Sequence, residues 1–534
     1  MNLPRLYHTL RHCKTEQLVA QVRHRLPGRT RGAVANAVDS APSFPGCALA
    51  AACSPPPPLT GNNTASSLRE GRFSFVNREA SIGWPPDWQA TDQHMLWRYN
   101  LQYFDWIWAL GLDDAKRVFS NWIKQNPIAS GGVGWDPYPV SLRLINAGLF
   151  FFQRHRAAVL EDEGFRDALW KSLHQHAAWL RQNLEVRLLG NHLLENLAAL
   201  EIFARLFDGQ QNQTRDRLQQ ELREQLLSDG MHFERSPMYH LRALFLCELL
   251  AGVGSEITHQ ALVNAREAAA MLTHPDGEIA LFNDAAFNIY PSVGPAESEG
   301  AWSLPDAGYF GWRDRKGNYL ICDAGPIGPD YIPGHAHADL LSFEWSISGK
   351  RFIVDSGVYD YVQGEMRDYC RSTAAHNTVE INGADQVECW GAFRVARRGY
   401  PTVHEWETSD IGFTLNASHN GYARLARGME HMRAFVFDAP RDLTITDVIT
   451  GPGDTAIRIR FHLHPDWEIA SIEGNTAALR SGDQSVQVCI EGDGSLDREA
   501  SWYCPEFYTR VKNHCLVFSA TGPGEWISRF KGAI

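Results

Sequence analysis

The sequence predicts two unlike halves, a helical half followed by an antiparallel β half. Three observations carry this. Before about residue 300, apolar residues recur at three- and four-residue spacing; after about residue 302 they alternate in short runs between turns; and no repeat of fixed period is present. A chain of 534 residues holds two or three domains at about 100–200 residues each. The divisions expected are a basic N-terminal segment with a Pro/Ala-rich linker (1–84), a helical domain (85–300) and a β domain (301–534).

Residues 1–32 are basic and amphipathic and lack the uninterrupted apolar core of a signal peptide. Residues 33–63 carry an Ala-rich run at 48–52 and four prolines at 55–58, which reads as a linker or a draped arm. The helical period then predicts helices over 94–110, 140–153, 166–184, 192–207, 214–227, 237–250 and 259–272. Helices laid pairwise form a bundle, a solenoid or a closed α/α toroid, and spacing does not choose among them. In the second half, strands are expected over 308–313 and 319–322, over 341–347 and 351–354, and over 456–463. Many such strands imply stacked antiparallel sheets.

Composition narrows the function. The formal charge of -12 argues against a nucleic-acid binder. An anionic ligand would therefore need a locally basic cleft. The 17 Trp and 16 Tyr suit sugar stacking and large cores equally. Ten Cys without C-x-x-C pairs exclude a zinc ribbon and a small disulfide scaffold. No run of about 20 apolar residues predicts a membrane span.

Four clusters carry candidate chemistry. Gly190-Asn191-His192 with Glu195 and Asn196 opens a helix, with Asn191 at or near its N-cap and His192 and Glu195 on one face. The amide, imidazole and carboxylate could converge on a carboxylate-bearing ligand; a cap plus a surface pair is the structural alternative. Ser236-Pro237-Met238-Tyr239 starts another helix and places a phenol in its first turn. Gly334-His335-Ala336-His337-Ala338-Asp339, with Asp355 and His376 downstream, is a candidate metal set suited to zinc or manganese. Arg98, and separately Asp136, Tyr138 and Arg143, could hold a uronate or simply pack helices.

Together these motifs resemble the heparinase II/III-like polysaccharide lyases over roughly residues 85–440, in order and in spacing, and Trp390-Gly391-Ala392-Phe393-Arg394 continues the similarity. The resemblance implies an incomplete (α/α) toroid followed by an antiparallel β-sandwich, and lyase action on uronic-acid glycans: hyaluronan, chondroitin sulfate, heparan sulfate or alginate. It implies Asn191 on the uronate carboxylate, Tyr239 in proton transfer, His335 as partner from the β half and His192 as a second base. It places Arg98, Glu195, Tyr138, Tyr361, Trp390 and Arg394 on the substrate. It implies one structural divalent ion, zinc or manganese, on His337, Asp355 and His376. It also implies a periplasmic or secreted protein, although the N-terminus shows no clear signal and leaves a cytoplasmic site open.

The chemistry expected is β-elimination. Neutralising the carboxylate acidifies the C5 hydrogen and stabilises the enolate-like transition state. A base then removes that hydrogen and an acid protonates the departing O4. With both Tyr and His present, both uronate epimers are expected as substrates. Two rivals stand beside this reading: a toroid glycoside hydrolase, for which Glu195, Glu234 and Asp284 offer no obvious pair, and a non-catalytic glycan-binding or polymer-assembly protein.

Overall fold

The structure, a computed structural model, describes residues 3–25, 44, 62–128, 130–208, 213–439 and 442–532. The Ala- and Pro-rich runs at 48–52 and 55–58 lie outside the described residues, as do Cys47 and Cys53.

The first half is helical. Its main helices are Met95–Tyr103, Leu112–Gln125, Pro137–Leu149, Glu163–Gln182, Gly190–Phe203, Arg215–Gln225, Pro237–Gly252 and His259–Met271. They form an incomplete α/α toroid around one large apolar core that includes Trp97, Trp106, Trp122, Phe150 and Leu197. The helix expected over 94–110 breaks at Phe104, whose φ is 60°, and resumes as a 3-10 turn at Asp105–Ala109. Packing explains the break: the Phe104 ring stacks on Trp88 at 5.4 Å and lies edge-on to Phe119. The helix Leu112–Gln125 escapes the sequence reading because its buried stripe is only Ala115, Val118, Phe119 and Trp122 among charged neighbours.

The second half is antiparallel throughout its named sheets. A five-stranded meander runs in chain order from Gly300–Leu304 to Lys350–Ile353. An eight-stranded sheet begins at Pro401–Ser409 and takes in the C-terminal strand Gly524–Gly532 beside Asp442–Thr450. A four-stranded sheet joins Ser495–Tyr503, Val511–Gly522, Thr455–His462 and Val379–Ile381. One core draws from all three sheets, with Phe310 and Trp345, Phe435 and Phe530, and Phe461 and Phe518. Stacked sheets of this kind bury alternate residues of each strand.

The halves share buried surface. Met238, Leu241 and Leu244 pack with Ile279, Val354, Val358 and Phe507. Leu272 and Phe282 pack with Trp302, Tyr309 and Ile321. This apolar seam fixes the walls of the cleft described next. Most of the largest fully buried side chains are Trp and Arg, among them Trp97, Trp122, Trp345, Arg143, Arg367 and Arg433.

Candidate active site

A cleft of about 1170 Å³ lies between the halves. Tyr99, Tyr103, Tyr138 and Tyr290 line it, so tyrosines face the cleft while most tryptophans fill the cores. Arginines reach it from both walls, Arg187 and Arg242 from the helices and Arg394 and Arg398 from the β half. Asp105, Glu234, Glu278 and Glu506 line it too, so the charge of the cleft is mixed, and the arginines are the groups an anionic ligand would meet.

On the helical wall, the chain enters the helix Gly190–Phe203 through two residues of positive φ, Leu189 at 62° and Gly190 at 53°. A Cβ on Gly190 would sit 2.6 Å from Glu234 Oε1 and 2.4 Å from Ile332 Cδ1. Only glycine allows this approach. Asn191 is therefore inside the first turn, two residues beyond the cap Leu189 and near the cap as expected. Its backbone N–H donates to Glu234 Oε1 at 2.9 Å, and its side-chain Nδ2 lies 3.1 Å from Glu234 Oε2 and 3.4 Å from His335 Nε2. Glu234 thus occupies the helix N-terminus and aims the Asn191 amide across the seam.

His192, one residue on, contacts Glu185 Oε1 through Nδ1 at 3.2 Å and packs on the Tyr138 ring at 4.7 Å. Burial opposes its charge, but the Glu185 carboxylate outweighs it and raises the imidazole above its ordinary value. Tyr239 follows Ser236, whose Oγ accepts the Tyr239 N–H and donates to the Asp284 carbonyl at 2.6 Å. The Tyr239 hydroxyl lies 3.0 Å from that of Tyr361, and its ring lies 3.9 Å from the His335 ring. Burial, then Tyr361, holds the phenol well above its usual range.

On the β wall, Asp284 organises the His-Ala-His motif. Its carboxylate accepts from His335 Nδ1 at 2.9 Å, from His337 Nε2 at 3.0 Å and from both Nη atoms of Arg367. Burial works against the charge, yet Arg367 and the two imidazoles hold Asp284 well below the carboxylate range. An ionised carboxylate only accepts, so His335 carries its proton on Nδ1 and turns the Nε2 lone pair toward the Asn191 amide, with the Tyr239 ring packed on its face.

The same logic describes the neighbouring His/Asp triad. His337, Asp339 and His376 bring one ligand atom each within 4.8 Å of the others, all buried. His337 Nδ1, Asp339 Oδ1 and His376 Nε2 have no hydrogen-bond partner. The opposite nitrogen of each imidazole is held by a carboxylate, Asp284 for His337 and Asp355 for His376, the latter at 2.7 Å. Burial lowers His337 to about 3 and keeps it neutral. Three unpartnered donor atoms with oriented imidazoles fit a divalent cation such as zinc or manganese. Asp355 differs from its expected place: it orients His376 with one oxygen and accepts from the Gly357 N–H with the other, and Asp339 supplies the carboxylate of the triad.

Of the expected substrate contacts, Tyr138, Tyr361 and Arg394 line the cleft with Asn191, His192, Tyr239 and His335. Three do not. Arg98 points away and donates to the Gln89 carbonyl at 2.8 Å. Glu195 is fully buried and pairs with Arg242, so it sets an arginine of the cleft instead of meeting a ligand. Trp390 is covered by Arg394 and donates to Thr9 Oγ at 3.1 Å. Arg143 is a packing residue, buried on the carbonyls of Gln102 and Gly134. Sequence reasoning assigned no role to Glu185 or Arg367, and it weighed Glu234 and Asp284 only as hydrolase acids. Glu185 and Glu234 lie close in sequence to Asn191 and Tyr239, which is a signal; Asp284 and Arg367 carry none.

A toroid is thus joined to stacked sheets, with Asn191, Tyr239 and His335 facing one another across the seam. The family description "Heparinase II/III N-terminus" matches residues 88–287, and "Heparinase II/III-like, C-terminal" matches residues 296–529. The chain belongs to the heparinase II/III-like family. It is 23% identical over 457 residues to a heparin-sulfate lyase of Pedobacter heparinus, covering 74% of this chain and 66%, just under two thirds, of the relative. A heparin-sulfate lyase of Bacteroides stercoris is 22% identical, with 87% of this chain and 79% of the relative covered. FtsZ-localized protein C of Caulobacter vibrioides is 24% identical, covering 74% of each chain. A heparinase III crystal structure superposes with a TM-score of 0.71 at 16% identity, covering 94% of this chain and 89% of that one. No described helix is long and apolar enough to cross a membrane.

Proposed function

We propose that this chain is a glycosaminoglycan lyase that cleaves uronic-acid glycans by β-elimination and acts in the periplasm or outside the cell. The observation that carries the proposal is the meeting of Asn191, Tyr239 and His335 across the seam, with Nε2 of His335 3.4 Å from the Asn191 amide and its ring 3.9 Å from Tyr239. One N–H of Asn191 is committed to Glu234. The other makes only the long contact to His335, and a uronate carboxylate oxygen can take it. His192, biased toward its cation by Glu185, supplies a second neutralising group. His335, with its lone pair on Nε2, is the base that removes the C5 proton; as the C4–C5 double bond forms and C4–O4 breaks, Tyr239, held protonated, is the acid that protonates the departing O4. For the opposite epimer, Tyr239 first gives its proton to Nε2 of His335, then takes the C5 proton and returns it to the departing O4. Hyaluronan, chondroitin sulfate and heparan sulfate are the proposed substrates, with alginate as the outlying member.

His337, Asp339 and His376 would hold a divalent cation, which would supply positive charge to a cluster crowded with buried acids and so order the loops behind His335. Burial and neighbouring Asp339 push Asp323 well above the usual carboxylate range, a sign of that crowding. The second reading is a non-catalytic glycan-binding or polymer-assembly protein; FtsZ-localized protein C is a relative whose name gives no enzymatic activity. One experiment separates them: a panel of the four glycans followed by ultraviolet absorbance of the unsaturated uronate. Absorbance growth lost in Tyr239→Phe supports the lyase. Cleavage without absorbance supports a hydrolase, and no cleavage supports the non-catalytic reading.

A further inference from the structure

The N-terminal helices Leu3–Leu10 and Thr15–Arg25 cross from one wall of the cleft to the other. Lys14 pairs with Glu224, and Arg217 contacts Glu16 at 2.9 Å, both on the helical wall. Thr9 donates to the Val395 carbonyl at 3.1 Å, and Arg398 reaches the His8 carbonyl at 3.4 Å, both on the β wall. Between them, one side chain touches both walls. The Gln17 amide, only 5% exposed, contacts the Leu188 carbonyl at 3.5 Å and the Tyr331 carbonyl at 3.2 Å. Leu188 is three residues before Asn191, and Tyr331 is four before His335. Thr9, Cys13 and Gln17 themselves line the cleft.

We infer that this helical pair closes one end of the cleft beside the reactive groups, so that the pocket takes a polysaccharide end and cuts exolytically. The inference rests on the lyase reading above. A polymer threaded through an open groove would have to break the Gln17 bridge and the contacts at Thr9 and Lys14. A chain end needs to break none of them. The tyrosines at 99, 103, 138 and 290 give the sugars that enter a stacking surface. The products expected are short, with one unsaturated uronate each.

The test follows a polymeric substrate of the glycan panel by viscosity and by absorbance in the same sample. Exolytic cutting shortens chains slowly: when absorbance reaches a tenth of its plateau, viscosity has fallen by about that fraction, and short oligosaccharides already dominate the products. Lys14→Glu with Glu16→Arg sets like charges against Glu224 and Arg217 and loosens the pair from outside the reactive groups. Viscosity should then fall well ahead of absorbance. Adding Glu224→Lys and Arg217→Glu should restore the wild-type ratio. Early collapse of viscosity in the wild type, with normal absorbance, overturns the closed end and leaves the lyase intact. An unchanged ratio in the charge-reversed variant overturns the assignment to this helical pair. No absorbance on any glycan overturns the lyase reading and this inference with it.

Discussion

Replacing Asp284 by Asn removes one charge and strands another. Arg367 is fully buried, and among the described residues its guanidinium has no carboxylate partner other than Asp284. Breaking a buried pair by removing one member costs about 3–5 kcal/mol. That is a large part of the roughly 5–15 kcal/mol by which a domain is stable. His335 and His337 lose the acceptor that fixes their protons, so activity should fall by about 10²–10⁴-fold. Denaturant unfolding read by Trp fluorescence reports the first effect, and initial absorbance rate under folding conditions reports the second. Adding Arg367→Met removes the stranded charge, so the double variant should regain most of the midpoint and none of the rate. A wild-type midpoint for Asp284→Asn would refute the ion-pair argument, and recovery of rate in the double variant would refute the positioning role. The pH sign follows from the depressed carboxylate. Its stabilisation is complete above the unfolded value of about 3.9 and is lost as pH falls through the lower folded value.

Other consequences are smaller in scope. Tyr239→Phe should abolish turnover yet cost only about 1 kcal/mol, the worth of one hydrogen bond to Tyr361, by thermal melting; unchanged turnover would remove Tyr239 from the chemistry. Because Glu185 raises His192, the cation is present below the raised value and lost as pH climbs through it. KM for an anionic glycan should therefore rise at alkaline pH, and Glu185→Gln should move that rise to lower pH; an unmoved KM profile counts against the pairing. Gly190→Ala should lose activity and fold poorly, because its methyl meets Glu234 and Ile332 at positive φ; a crystal structure of an active Gly190→Ala protein with Asn191 in place would contradict this. Chelation should lower the melting temperature before it lowers the rate of the surviving folded fraction, and full melting stability after verified removal of the ion would exclude the structural role.

The sequence announces what repeats or stands in a motif. Helical period located Pro237–Gly252 within two residues and Gly190–Phe203 within four, because each buries apolar residues turn after turn. Alternation located Thr455–His462 for the same reason in period two. Asn191, Tyr239 and His335 were legible as polar residues at helix starts and in a histidine motif. Asp284 was not legible as an organiser: it sits in a coil between Met271 and Gly300, with no periodic neighbours. Asp355 and Asp339 were both visible, but which of them faces the triad depends on a loop path that spacing does not encode. Glu195 misled because its spacing from His192 fits a shared helix face, while Arg242, forty-seven residues on, draws it into the core.

Asp284 also has a mechanical meaning. It lies at the end of the helical half, and its four donors lie in the β half. The seam is therefore tied by a charge as well as by the buried apolar contacts across it. The Tyr239 and His335 rings, 3.9 Å apart, sit beside that tie, so the one carboxylate that joins the halves also fixes the distance on which the chemistry depends.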